Sequence, residues 1–189
     1  MFGAKLVGNW DNAKKMLDAA PAAFDRALKK TVQAEAEKIA GMIRKRIASN
    51  TPPPNALSTV FNKGSSKTLV NTGEMQKTVQ IVWKGKFKAF IGIPASAAKG
   101  MAKLADIHEN GKVIIQQMTD RQRRFLHAKF SKGGGGKGGG GGGGTGIIVI
   151  HIPARPFMRP AFEEYKANAK DDILVSLTDN LSGWVASGH

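Results

Sequence analysis

A run of glycines limits what this 189-residue chain can fold into. Residues 133–146 hold twelve of its 23 glycines and are interrupted only by Lys137 and Thr145. Glycine adds no side chain to a core and loses the most backbone entropy on ordering, so such a segment does not fold alone. We expect a flexible linker with a root-mean-square span of about 20 Å. The fold must therefore be built from the residues on either side of it.

Helical periodicity dominates the N-terminal quarter of the chain. Residues 11–20 are predicted to form a short helix, and Pro21 is predicted to open a second, longer helix as its first-turn residue. Apolar side chains then recur three or four residues apart, which places them on one face of a helix of about seven turns. The members of this face are Phe24, Leu28, Val32, Ala36, Ile39, Ile43 and Ile47. We interpret them as a stripe that faces the core.

Three consecutive prolines, at positions 52–54, are predicted to end this helix because proline supplies no backbone donor. Residues 50–72 then have the composition of a long surface loop, rich in Pro, Ser, Thr, Asn and Lys. A loop of this length inside a compact chain is usually functional or partly disordered.

The rest of the chain alternates short strands and helices. Apolar runs on both sides of Lys84-Gly85-Lys86 predict a β-hairpin. The expected order after the hairpin is a helix over about 97–108, a strand at 113–115, a basic helix with Thr119 as N-cap, the glycine linker, a strand at 147–152 and a helix from about 158 to 181. We expect an α+β fold in a single domain over residues 1–189. An antiparallel sheet would carry the long N-terminal helix and the C-terminal helix, with extended loop or arm insertions.

Positive charge is abundant and unevenly distributed. The 29 Lys and Arg residues against 14 Asp and Glu residues give a formal charge of +15. Residues 82–137 carry twelve basic and three acidic groups, whereas residues 138–189 carry four and five. Such an excess favours acidic surfaces, nucleic acid or anionic membranes as partners, without specifying a fold.

Cysteine is absent from the sequence, which excludes disulfides, thiolate metal sites and a Cys nucleophile and suits folding in a reducing cytoplasm. We expect neither a signal peptide nor a membrane span, and hence no membrane partner, because the apolar runs are short and interrupted.

Residue patterns for catalysis or cofactor binding are weak. His108-Glu109 lacks the second histidine that a zinc-protease helix needs four positions on, since that position is Lys112. The glycine run is not a P-loop, because Lys137 is followed by Gly138 and not by Ser or Thr. We therefore expect no enzymatic activity, no cofactor and no metal site.

The basic helix after Thr119 is a candidate surface for nucleic acid. Cations at this helix and just beyond it could lie along phosphates: Arg121, Arg123, Arg124, Lys129 and Lys132. Only Phe125 and Phe130 are interleaved aromatics, and a separation of five residues need not place them in one stacking surface. Such a helix can equally meet an acidic protein or stay solvated.

Three segments in order carry a resemblance to a known family. They are Leu69–Val79 with Asn71-Thr72-Gly73, Ala105–Gly111 with His108-Glu109-Asn110-Gly111, and Ile152–Phe162 with Ile-Pro-Ala-Arg-Pro-Phe. Together they resemble the tail-completion and neck proteins of tailed bacteriophages, the phage virion morphogenesis family. Its members typically show a Thr-Gly turn, a His-Glu corner and an Ile-Pro-Ala-Arg-Pro-Phe lead into a C-terminal helix. The resemblance covers about residues 5–180, with the glycine run and the loop before Thr72 as insertions.

The resemblance implies a non-enzymatic virion protein that assembles in the cytoplasm of a bacterial host. Such proteins form a ring, usually sixfold, at the head-proximal end of the tail, where they complete the tail and join it to the head connector. The implied partners are copies of itself in a hexamer, adjacent neck, connector and tail proteins, and passing genomic DNA as a non-specific contact. The alternatives are a tail terminator or other connector ring, and a basic, non-specific DNA-binding protein.

The matched segments supply candidate interface residues: Asn71, Thr72, Gly73, His108, Glu109, Gly111, Pro153, Arg155, Pro156, Phe157 and Arg159. The two prolines beside Arg155 fix the backbone around it. Arg155 and Arg159 would either pair with carboxylates of a neighbouring subunit or cap carbonyls of their own chain. In the same way, Phe157 would either contact the neighbour or fill its own core.

Other matched residues have simpler interpretations. Gly73 and Gly111 would supply turn conformations that other residues disfavour. His108 and Glu109 would form a hydrogen-bonded corner. Residues 50–72 and the arm around the glycine run would order on contact with neighbouring subunits, since a head-to-tail ring needs two complementary patches on each subunit.

Overall fold

The chain has the predicted α+β fold in a computed structural model that describes residues 10–97, 100–130 and 146–186. The helices are α1 (Trp10–Ala48), α2 (Leu57–Lys63), α3 (Glu74–Lys77), α4 (Met101–Asn110), α5 (Asp120–Phe130) and α6 (Met158–Ala186). The strands are β1 (Gln80–Gly85), β2 (Lys88–Gly92), β3 (Lys112–Gln117) and β4 (Ile147–Ile152). The linker predicted at the glycine run lies outside the described residues, apart from Gly146.

The N-terminal helix is continuous, contrary to the sequence prediction. α1 runs through Pro21, so the predicted division into a helix at 11–20 and a second helix from Pro21 is wrong. Pro21 is exposed and flanked by two alanines on each side. Because alanine is the strongest helix former, the hydrogen bond that proline loses does not end the helix here. The C-terminal end of α1 at Ala48 does precede the prolines, as predicted.

The buried face of α1 matches the predicted stripe from Ala36 onward, where Ala36, Ile39, Ile43 and Ile47 are buried. The prediction fails before Ala36, since Phe24 is 48% exposed. The residues buried there are Ala23, Ala27, Thr31 and Glu35. The face is displaced by one residue because α6 packs along this half of α1, against mostly small side chains.

α6 packs on α1 in the antiparallel direction. Contacts between the two helices run in opposite sequence order, through Arg46 with Glu164, Lys38 with Asp172, and Thr31 with Asn180. Both helices were predicted to pack on a sheet, and in the structure α6 packs mainly on α1.

The predicted single sheet is instead two separate two-stranded antiparallel sheets. β1 and β2 form the expected hairpin, with Ile81 opposite Ile91, and lie against α1. β3 and β4 pair with Ile114 opposite Ile150 and make their main contacts with each other. We call this second pair the ribbon. It is separate because the chain turns away from the core at Gly111, where φ is +73°.

The core lies between the second half of α1, α3, the first hairpin and the start of α6. Its buried members are Ile39, Ala40, Ile43, Ile47, Leu69, Met75, Val79, Ile93, Ala105, Phe157 and Ala161. The loop predicted at 50–72 contains one helix, α2.

α5 begins as predicted. The Gln122 N–H donates to Thr119 Oγ1 over 3.3 Å, and the Thr119 N–H donates to Gln122 Oε1 over 3.0 Å. This reciprocal pair is a capping box, so the prediction of Thr119 as N-cap is confirmed. Among the described residues, no helix combines the length and the apolar character needed to cross a membrane.

Candidate functional site

The His-Glu segment and the Pro-Ala-Arg-Pro segment meet at the start of α6. Glu109 Oε2 accepts the backbone N–H groups of Phe157 and Met158 at 2.8 and 3.0 Å, and its Oε1 accepts the N–H of Arg159 at 2.8 Å. The first N–H groups of a helix have no partner within the helix, and the helix dipole favours negative charge there. Glu109 therefore caps α6 from another helix.

Gly111 brings the backbones of the two segments together. A Cβ at this position would lie 2.9 Å from the nitrogen of Ala154 and 3.0 Å from the carbonyl oxygen of Ile152. Close by, the N–H of Arg155 donates to the carbonyl of His108 over 2.6 Å. Both the positive φ and this crowding require glycine, so the predicted turn role of Gly111 is confirmed.

Arg155 is buried, with 7% of its surface exposed. Its Nε donates to the carbonyl of Pro53 at 2.8 Å, and its Nη2 donates to the carbonyl of Pro54 at 3.2 Å. Proline carbonyls after a helix have no ladder partner, and the guanidinium supplies the donors they need. Arg155 thus ties the proline segment to the start of α6, and Phe157 beside it is fully buried in the core.

His108 lies in a positive environment. Burial, the Arg155 guanidinium and the Lys63 ammonium together hold the pKa of His108 below its ordinary value. Burial and Arg155 likewise lower the pKa of Lys63. The Nδ1 atom of His108 is buried without a hydrogen-bond partner in the described structure. Its side chain is not bonded to that of Glu109, which is used at α6, so the hydrogen-bonded corner predicted between them is wrong.

The Thr-Gly segment borders the same region. Asn71, Thr72 and Gly73 line a groove of about 580 Å³ together with Lys63 and His108. Gly73 has a φ of +77° and precedes α3, so its predicted turn role is confirmed. The N–H of Glu74 donates to Thr72 Oγ1 over 3.4 Å, a long contact. All three matched segments therefore border one groove or the corner behind it.

The remaining candidates lie apart from this corner. The Arg159 side chain is exposed and has no ion-pair partner in the part of the chain that the structure describes. Pro153 is exposed and Pro156 half-buried on either side of Arg155.

The basic-patch candidates Arg121 and Arg124 are exposed on α5, and Arg123 is half-buried with an Nη1 atom 3.9 Å from Asp120. The Lys129 side chain and the whole of Lys132 lie outside what the structure describes.

In the corner, the side chains of Glu109 and Arg155 bind main-chain groups. Glu109 binds three N–H groups, and Arg155 binds two carbonyls. These contacts fix where α4, the proline segment and α6 meet. Within residues 10–97, 100–130 and 146–186, no three His, Asp or Glu side chains are grouped to hold a metal ion.

The sequence singled out Glu109 and Arg155 without identifying their partners. Glu109 contacts residues 48 to 50 positions away, and Arg155 contacts residues more than 100 positions away. The sequence signal for the Arg155 contacts is the run of prolines at 52–54, because a proline has a carbonyl acceptor but no N–H donor. Neither a protein-family model, a curated protein nor a solved structure matches this chain.

Proposed function

We propose that this chain is a structural subunit of the neck of a tailed bacteriophage. In this role, copies of the chain form a ring, sixfold in its expected order, at the head-proximal end of the tail. The ring completes the tail and joins it to the head connector.

The observation that carries this proposal is the corner formed by the resembling segments. The His-Glu and Ile-Pro-Ala-Arg-Pro-Phe segments are far apart in sequence, yet the Glu109 carboxylate caps the helix that follows Phe157. Gly111 closes the contact against Ala154. Residues of two of the three resembling segments thus act together, which supports their being one inherited structural unit and not chance matches.

Exposed apolar side chains support assembly with other proteins. Leu57 and Phe61 on α2 are 87% and 91% exposed, and further exposed apolar residues lie on both sheets and on α6. Soluble monomers rarely expose large contiguous apolar patches, which usually mark interaction surfaces. A virion subunit that functions only in a ring fits this distribution.

Deleting the gene from a phage genome that carries it tests the proposal. We expect electron micrographs of the lysate to show filled heads and tails of normal length that are not joined, and expression of the chain from a plasmid to restore complete particles. Normal particles without the chain would contradict the proposal. Overlong tails would favour a tail terminator, because a terminator stops tail polymerisation.

A second candidate function is non-specific DNA binding, which the exposed cations Arg121 and Arg124 on α5 favour. Such binding weakens steeply with salt, because each phosphate contact releases counterions. Duplex DNA titrated with the isolated chain at rising salt separates the candidates. Tight binding that persists at physiological salt would favour a DNA-binding protein.

A further inference from the structure

Both faces of the ribbon carry mostly apolar side chains, with His151 and Gln117 at the two ends of one face and Lys112 and Gln116 on the other. Its register places Val113, Ile115, Ile147 and Val149 on one face, and these four are between 49% and 67% exposed. The sequence of β4, Ile-Ile-Val-Ile-His-Ile, is typical of a strand that is covered on both sides. The described part of the chain leaves this face of the ribbon uncovered, so its composition fits a covered state.

A two-stranded ribbon is at best marginally stable by itself in water. This ribbon is anchored at its base, where Gly111 packs against Ala154, but it contacts other described elements only weakly along its length. Covering the apolar face would stabilise the ribbon.

The positive charge near the ribbon restricts which surfaces can cover its apolar face. β3 leads directly into α5, whose Arg121 and Arg124 are exposed. Residues 112–130 and 146–152 together carry five basic groups and one acidic group. A matching surface therefore combines exposed apolar side chains with carboxylates.

One side of α6 combines exposed apolar side chains with carboxylates. Asp171, Val175 and Asp179 are spaced four residues apart and lie in one exposed row, with Leu174 beside it. Leu174 is 52% exposed and Val175 is 61% exposed. We call these four residues the α6 row.

Asp171, the first carboxylate of the α6 row, can pair with a cation of a second copy. Asp171 makes no ion pair within the described residues, whereas Glu164 and Asp172 of the same helix are paired with α1. Asp179 also borders a groove that contains Arg26 and Lys30 of α1, so Asp171 is the stronger candidate. Lys170 lies one turn before Leu174 and borders the row, whereas Lys166 lies on the opposite side of α6 from Val175, because each residue turns the helix by about 100°.

We propose that the apolar face of the ribbon in one copy packs on the α6 row of a second copy, with Arg121 or Arg124 beside Asp171. The inference rests on the proposed function, since it names the contact through which the ring would form. The two surfaces lie on different elements, so each copy can give its ribbon to one neighbour and its α6 row to another. This is the head-to-tail geometry that closes into rings.

Cysteine cross-linking tests the contact, and the natural absence of cysteine makes each introduced thiol unique. Full-length Ile115→Cys is mixed with full-length Val175→Cys and oxidised gently. We expect a covalent dimer that disappears on reduction. The matched control replaces Val175→Cys by Lys166→Cys, an exposed position on another flank of the same helix, which should cross-link severalfold less.

Equal cross-linking at positions 166 and 175 would overturn the proposed contact. So would a strictly monomeric chain at about 100 µM, where an interface with a dissociation constant of about 1 µM would be nearly saturated. Rings that form without the 115–175 cross-link would overturn this contact alone and leave the neck function, which the lysate experiment tests, unaffected.

Charge exchange provides a second readout that does not depend on thiols. The double variant R121D/R124D should raise the dissociation constant of self-association by about tenfold, because it places like charges beside Asp171. Adding D171R to that variant should restore much of the loss. The control K88D/K103D changes the net charge equally at exposed sites elsewhere and should have a smaller effect. Equal weakening by both double variants would contradict the proposed pairing.

Discussion

At the scale of single residues, Glu109 has the most consequential contacts. Its carboxylate lies at the C-terminal end of α4, yet it accepts the N–H groups of three successive residues at the start of α6. A charged acceptor at a helix N-terminus is stabilising both through hydrogen bonds and through the helix dipole. One side chain thus fixes the angle at which the last helix leaves the corner.

We expect Glu109→Ala to lower the free energy of unfolding by about 2 kcal/mol, because three helix N–H groups lose their acceptor. For a chain of this size the melting temperature should fall by about 4–8 °C. Glu109→Gln should lie between the wild type and the alanine variant. The control is Glu163→Ala, an exposed α6 residue, for which we expect a change within about 0.5 kcal/mol. Equal melting temperatures for both alanine variants would contradict the capping role.

Gly111 combines crowding with a backbone conformation that is almost restricted to glycine, with φ +73° and ψ 167°, whereas Gly64 adopts the left-handed helical conformation. Gly111→Ala should destabilise by about 2–3 kcal/mol, because its Cβ would meet the Ala154 backbone at 2.9 Å and its φ is positive. Gly64→Ala has a similar φ in open space and should destabilise by about 1 kcal/mol. Denaturant titrations measure both. A loss at Gly111 no larger than at Gly64 would show that the close approach is unimportant.

The environment of His108 predicts a dependence of stability on pH. Because its pKa in the folded protein lies below the ordinary 6.5, the unfolded chain takes up this proton first as the pH falls. The titration of His108 therefore leaves the free energy of unfolding unchanged above about pH 6.5 and lowers it as the pH falls below that value. Urea titrations between pH 7.5 and 5 should show a smaller loss for His108→Gln than for the wild type.

At the scale of elements, the contact between α1 and α6 depends on small residues. Ala23, Ala27 and Thr31 are buried on α1, and Ala161 is fully buried near the start of α6. The ion pairs beside this contact are partly exposed and contribute little by comparison. The two helices are therefore held mainly by close packing.

We expect Ala161→Leu to destabilise the fold by about 1–3 kcal/mol, because the core around it has no room for three more carbons. Thermal unfolding followed by circular dichroism measures the change. Ala167→Leu, at an exposed position of the same helix, is the matched control and should remain close to the wild type. If Ala161→Leu leaves the melting temperature unchanged, close packing at Ala161 does not contribute to the stability of the fold.

Local patterns predicted those elements whose signals are local. The hairpin, the Thr119 cap and the end of α1 before the prolines each depend on a few adjacent residues. The buried face of the first half of α1 was misplaced because Phe24 is more apolar than Ala23 and Thr31. Burial there is decided by the approach of α6, more than 130 residues away.

The candidate site shows the same limit. Sequence motifs singled out Glu109, Gly111 and Arg155, but the roles of these residues depend on partners that the fold brings together from distant segments. The predicted single sheet failed for a related reason. Strand patterns do not show that the chain turns away at Gly111 and keeps the ribbon apart from the first hairpin.

At the scale of the whole molecule, the proposed ring would make each subunit more stable when it is assembled. Covering the ribbon and the α6 row links association to folding, so the melting temperature should rise with protein concentration. Calorimetry over a hundredfold concentration range measures this shift, and mass photometry follows the oligomers. If oligomers form but the melting temperature does not change with concentration, assembly does not stabilise the fold.

The contact between Gly111 and Ala154 also bears on how this chain could diversify. The polypeptide leaves the corner at Gly111 and returns to it at Ala154, so the segment between these residues, which includes the ribbon and α5, has adjacent ends. Its length can change without moving α4 or α6, because the two ends stay where they are. The corner therefore works as an insertion point, at which the arm can be lengthened, shortened or exchanged while α4 and α6 keep their positions.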